Sequence, residues 1–181
     1  IVFFAMAGFF VYLAGSPFVL INHYQLSSTQ YSMAFALNSI AFIGAAQLTG
    51  RLGQRFGLVN VVKAAASASG VTMAALLVYY LLGGEQLTVL IVLYFIASAF
   101  MGLVIPTTSV LALEEHGEIA GTASALLGTL QMLSGAAAMQ IVGHFSNGKP
   151  LPMVVGMATG ALVGVALTWI TLGRVHRVAH D

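Results

Sequence analysis

The chain has no cysteine, which excludes disulfides, thiolate metal centres and cysteine nucleophiles. Charge is almost as scarce: 6% of the residues are Asp, Glu, Lys or Arg, against about 25% in ordinary soluble domains. A net charge of +1 with no basic patch leaves nothing to neutralise a phosphate backbone, so nucleic acid is not a partner. No nucleophile elbow, phosphate loop or H-E-x-x-H motif occurs, and an enzyme is not expected. His23 and His144 fall near helix ends, and His116, His176 and His180 fall in loop or tail segments. None pairs with a carboxylate at ligand spacing, so neither a metal nor another cofactor is expected.

What the chain has is apolar length. Hydrophobic residues make up 59% of it. Residues 1–50 carry no charged side chain, and uncharged runs recur at 64–84, 86–113, 119–148 and 150–173. Runs of about 20 residues match the hydrocarbon slab of a bilayer. One Arg, Lys or Asp at mid-membrane costs roughly 2.5–3.5 kcal/mol, which confines charge to the gaps. The pattern is that of an all-α membrane protein.

Turn signals and charges predict six helices, at about 1–22, 30–51, 61–83, 87–113, 119–145 and 151–173. The intervening loops are expected at Asn22 to Thr29, Arg51 to Asn60, Gly83 to Glu85, Glu114 to Glu118 and Ser146 to Pro150. Arg51, Arg55 and Lys63 share one side of the membrane with Arg174 and Arg177, whereas the other side has Lys149. The positive-inside rule makes the Arg51 side and the C-terminus cytoplasmic. Tyr79 and Tyr80 near one interface and Trp169 near the other suit aromatic belts. Ile1 opens directly on an apolar run, which reads as a longer protein joined in mid-helix.

The halves echo one another at an offset of about 89 residues. Gly15-Ser16-Pro17 parallels Gly102 to Pro106, and Gly53 and Phe56 parallel Gly143 and Phe145. The predicted organisation is two three-helix repeats, 1–89 and 90–181, within one bundle covering 1–181. Three crossings per repeat make the second repeat inverted, a plan used by secondary transporters.

Helical spacing sorts side chains by face. The second helix aligns Tyr31, Phe35, Asn38, Phe42, Ala45 and Thr49. One amide among aromatics suits a cavity for bulky, partly apolar molecules; a bond from Asn38 to a neighbouring helix is the other reading. The first helix aligns Phe4, Gly8, Tyr12 and Gly15, and the fourth aligns Tyr94, Ser98, Met101 and Ile105. Pro17 and Pro106 each remove a backbone donor, giving a kink that serves either gating or packing. The fifth helix carries Gly121, Gly128, Gln131 and Gly135 on one stripe, expected to face the absent half, with Gln131 as interhelical glue or cavity lining. Gly156, Gly160 and Gly164 form a strip on the sixth helix, expected to pack on the third or fourth.

Several stretches resemble the major facilitator superfamily. Ala14-Gly15-Ser16-Pro17-Phe18-Val19-Leu20 followed by Tyr31 to Gly57 is similar to the seventh and eighth helices of its drug exporters, above all the bicyclomycin/chloramphenicol-resistance type of drug:proton antiporter. Phe35-Ala36-Leu37-Asn38, Gly50-Arg51-Leu52 and Arg55-Phe56-Gly57 carry the likeness. Pro106 to Ser109 resembles the end of the tenth helix, and Ala120 to Gly128 the start of the eleventh. The loop departs from the family pattern: Gln54 stands at the acidic position and Leu58 where a basic residue is expected, leaving Arg51 and Arg55 as topology signals or partners for helix ends.

The resemblance implies the C-terminal six-helix half of a multi-pass transporter in the bacterial inner membrane. Its partners would be an N-terminal six-helix half, the lipid bilayer, protons and a small drug-like substrate. Tyr12, Phe35, Asn38, Phe42, Tyr94 and Gln131 are the expected cavity residues. The predicted spans hold no acidic residue, so proton coupling is expected from the other half. A carrier of a sugar or metabolite, and a free-standing six-span channel or scaffold, are the alternatives.

Overall fold

The computed structural model describes residues 1–114, 120–145 and 149–178. The first helix, α1 (Val2–Pro17), runs directly into a π-helical turn at Phe18–His23. Pro17 cannot donate to the carbonyl one turn behind it. Beyond it the ladder widens, with Tyr24 N–H bonding Val19 O at 3.1 Å and Leu26 N–H bonding Leu20 O at 3.0 Å. A capping box then starts α2 (Ser28–Gln47): Ser27 Oγ accepts from Gln30 N–H at 3.2 Å, and Gln30 Oε1 accepts from Ser27 N–H at 2.9 Å.

The second loop differs from the expectation. Arg51 to Asn60 is not irregular: it holds a short helix, α3 (Thr49–Phe56), and the first turn of α4 (Leu58–Leu81). Leu52 and Phe56 recur at helical spacing against Arg51, Gln54 and Arg55, so the segment forms an amphipathic helix rather than a coil. It bends 42° from α2. Gly57, at φ +81°, ends α3 with backbone that a side chain rarely adopts, and Gly53 leaves room for Leu58 across the turn.

The remaining helices are α5 (Leu87–Glu114), α6 (Ala120–Phe145) and α7 (Pro150–Val178). Pro106 lies inside α5, whose helix continues through it. Among the described residues five helices are long and apolar enough to cross a membrane, counting α1 with its π turn as one, and the bent α2–α3 pair taken as one span makes a sixth. The chain is an all-α, multi-pass membrane protein.

The neighbours repeat. α2 lies along α5 as α6 lies along α1; α4 packs on α5 as α7 packs on α1; and α4 packs on α7. Exchanging the first three spans for the last three interchanges the first four contacts in pairs and maps α4–α7 onto itself, and the odd number of crossings inverts the second repeat. The central cluster joins Val11, Leu20, Met73, Leu76, Leu90 and Val154 from α1, the π turn, α4, α5 and α7. α2 and α6 flank this core.

Small residues set the close approaches. A Cβ on Gly102 of α5 would collide with the backbone of Phe42 on α2. Gly156 meets Val11, and Gly160 meets the backbone of Phe4 and Gly8. Gly156 and Gly160 thus meet α6 and α1 rather than the third or fourth span, although α7 also packs along α4. Gly164 has open space beside it. On α6, Gly135 packs inward against Phe10 of α1 rather than outward, while Gly121 and Gly128 meet nothing within 4 Å.

Residues 115–119, 146–148 and 179–181, including the expected loop residues Glu115, His116, Glu118 and Asn147 and the tail residue His180, lie outside the described residues, as do the side chains of Arg174, His176 and Arg177.

Candidate functional site

The helical period brings three aromatic faces together. Phe9 and Tyr12 of α1, Phe35, Asn38, Ser39, Phe42 and Ile43 of α2, and Tyr94, Ser98 and Met101 of α5 line a hollow of about 240 Å³. Spacings of three and four residues put each set on one side of its helix. No lining residue is formally charged.

The rings hold one another in fixed planes. Tyr12 stacks on Tyr94 with centroids 3.9 Å apart and planes 21° apart. Phe35 lies nearly parallel to Tyr12 at 6.5 Å, and Tyr31 extends the row with its centroid 6.3 Å from Phe35. Phe9 and Phe42 face each other across 6.2 Å. Tyr31 is anchored in turn, its Oη 3.2 Å from Ser16 Oγ beside Pro17.

Asn38 is the polar node. Its Nδ2 donates to Tyr12 Oη at 3.2 Å and to Ala34 O at 2.9 Å, which uses both amide protons. Its Oδ1 accepts from Ser98 Oγ at 3.5 Å, a long bond, and Ser98 also donates to Phe95 O at 2.9 Å. The side chain thus ties α2 to α1 and α5 while keeping a carbonyl lone pair beside the hollow. Both sequence readings of Asn38 describe one residue: it lines the hollow and it bonds neighbouring helices.

Of the expected cavity residues, Tyr12, Phe35, Asn38, Phe42 and Tyr94 converge here. Gln131 does not. It lies on α6, which packs along α1, and its backbone carbonyl accepts from Ser134 Oγ at 2.8 Å. The expected stripe on the first helix also divides. Gly8 and Gly15 face Met157 and Met153 of α7, and Tyr12 turns to the hollow. Phe9, Ser39 and Ile43 were not singled out in sequence; Phe9, three residues before Tyr12, carried the available signal.

Pro17 and Pro106 lie outside the lining, although Gly102, one turn before Pro106, holds α2 against α5 just beside it. Arg51 and Arg55 are exposed on α3, with the Arg55 guanidinium 5.3 Å from the Phe56 ring centroid. At the same end of the bundle Trp169 Nε1–H donates to Ser67 Oγ at 3.1 Å, with Lys63 Nζ 5.9 Å from its ring. At the opposite end Tyr24 and Tyr80 join hydroxyls at 2.7 Å, and Tyr79 Oη accepts from Gln86 N–H at 3.2 Å. Among the described residues no three His, Asp or Glu side chains converge.

No family model matches the chain, and no solved structure matches it significantly. The chain is 33% identical over 173 residues to a protein of Bacillus subtilis (strain 168) described as the uncharacterized MFS-type transporter YdgK. The match covers 95% of this chain and 42% of that relative, so the chain spans less than half the relative's length. Likeness to an MFS-type transporter therefore runs along nearly the whole of this six-span chain.

Proposed function

We propose that this chain is one six-helix half of a proton-coupled exporter of small drug-like molecules in the bacterial inner membrane, working by alternating access. The uncharged aromatic hollow between α1, α2 and α5 carries the reading. Stacked rings offer planar apolar surface, each aromatic contact contributing about 0.5–1.5 kcal/mol beyond area burial. One amide and a few hydroxyls are too few convergent polar groups for a sugar. The hollow would form one wall of a path closed by a second six-helix half, with the C-terminus cytoplasmic.

The six spans contain no Asp or Glu. Proton coupling needs an intramembrane titratable group, so the acidic residues belong to the other half. These 181 residues alone would then bind but not pump.

Sealed everted vesicles containing the intact gene product provide the test. A planar aromatic dye should accumulate when the lumen is acidified and leak out when a protonophore collapses the gradient. Tyr12→Ala and Phe35→Ala should each lower kcat/KM for the dye roughly three- to ten-fold, the equivalent of one lost aromatic contact. Gradient-independent dye movement would remove proton coupling from the reading. Accumulation of a sugar in place of the dye would replace the substrate class.

A further inference from the structure

A second recess lies at the Arg51 end of the bundle, away from the aromatic hollow. It is a groove of about 400 Å³ walled by Leu52 and Phe56 of α3 and by Phe100 and Leu103 of α5, with Ala64 and Ala68 of α4 on its floor. The short helix that supplies two of its walls also carries two arginines. The 42° bend of α3 turns Leu52 and Phe56 into the groove while Arg51 and Arg55 stand exposed on the same short helix. Among the described residues neither arginine has a carboxylate partner; Arg55 rests against Phe56, which is itself 53% exposed. The polar group at the rim, Asn60, spends an amide proton on Phe56 O at 3.0 Å.

We propose that this groove holds an anionic phospholipid of the adjacent leaflet, with its phosphate between Arg51 and Arg55 and one acyl chain laid along Ala64 and Ala68. The stretch of α4 from Asn60 to Ala68 covers about 12 Å, running inward from the interface. An apolar slot lined by small residues fits an unbranched chain, and the two guanidiniums of the same short helix fit a phosphate, which they bind through forked donors. Basic recesses between helices at a membrane face are recognised by anionic headgroups on the same physics.

Native mass spectrometry of the intact gene product, released from detergent with dioleoyl phosphatidylglycerol or dioleoyl phosphatidylcholine, tests this. Retention should favour phosphatidylglycerol roughly thirty-fold, as two basic residues at an anionic surface imply. The R51Q/R55Q pair should bring the two lipids to near parity, and the R51K/R55K pair, a control for folding, should keep most of the preference. Ala68→Phe, filling the floor, should lower retention of both lipids together. An undiminished preference in R51Q/R55Q, or unchanged retention in Ala68→Phe, overturns the site. So does glycerol 3-phosphate binding as tightly as the lipid, or a cross-link from Ala64→Cys to a helix of a companion half, because a free phosphate or a protein then occupies the groove.

Discussion

Removing the Asn38 amide leaves Tyr12 without its donor and Ser98 without its distal acceptor. Interhelical hydrogen bonds in membranes average about 0.6 kcal/mol, because the unfolded chain in lipid also finds partners. Asn38→Ala should therefore cost about 1 kcal/mol, with a coupling to Tyr12→Phe of about 0.6 kcal/mol in a double-mutant cycle of unfolding in micelles. Coupling near zero would mean that the two side chains act independently. Glycines divide sharply at this scale. Gly102→Val forces the Phe42 backbone away and should cost about 1–3 kcal/mol, whereas Gly128→Ala, with nothing within 4 Å, should stay within about 0.5 kcal/mol. Residue identity alone distinguishes none of these glycines; what each faces does. The same holds for the site: Asn38 and its aromatic row were legible from spacing, but Gln131, of equal polarity and on an equally good stripe, does not line the hollow.

At the scale of elements, short stretches decide where spans begin and turn. Ser27 and Gln30 satisfy two otherwise unpaired donors at the start of α2, so Ser27→Ala should cost about 1 kcal/mol and speed hydrogen exchange in the first turn of α2. Gly57 holds a positive φ between α3 and α4, and Gly57→Ala should cost about 1–3 kcal/mol, read as a lowered unfolding midpoint. A change below a few tenths of a kcal/mol would show that the turn relaxes into another conformation. The six long spans were readable because charge is confined to their ends. The α3 helix was not, because eight residues rich in Gly, Arg and Gln carry loop composition. Its amphipathic spacing, which sets Leu52 and Phe56 towards the groove beside α4 and α5, is the signal that composition hides.

For the whole molecule, three crossings in each repeat put Arg55 and Glu85 at opposite ends of α4. With no native cysteine, Arg55→Cys and Glu85→Cys can each be labelled alone, and a membrane-impermeant maleimide should reach them from opposite faces of sealed vesicles. Labelling of both from one face would break the six-span reading. Hydropathy and loop charge, by themselves, determined that the chain crosses a membrane and about where, because burying charge in lipid costs more than any local propensity supplies. Which faces meet was decided only by the folded bundle. A helix in lipid has apolar residues all round, so no hydrophobic stripe marks its inner side, and packing alone selected α6 and α1 as the neighbours of Gly156 and Gly160 and α1, α2 and α5 as the walls of the hollow.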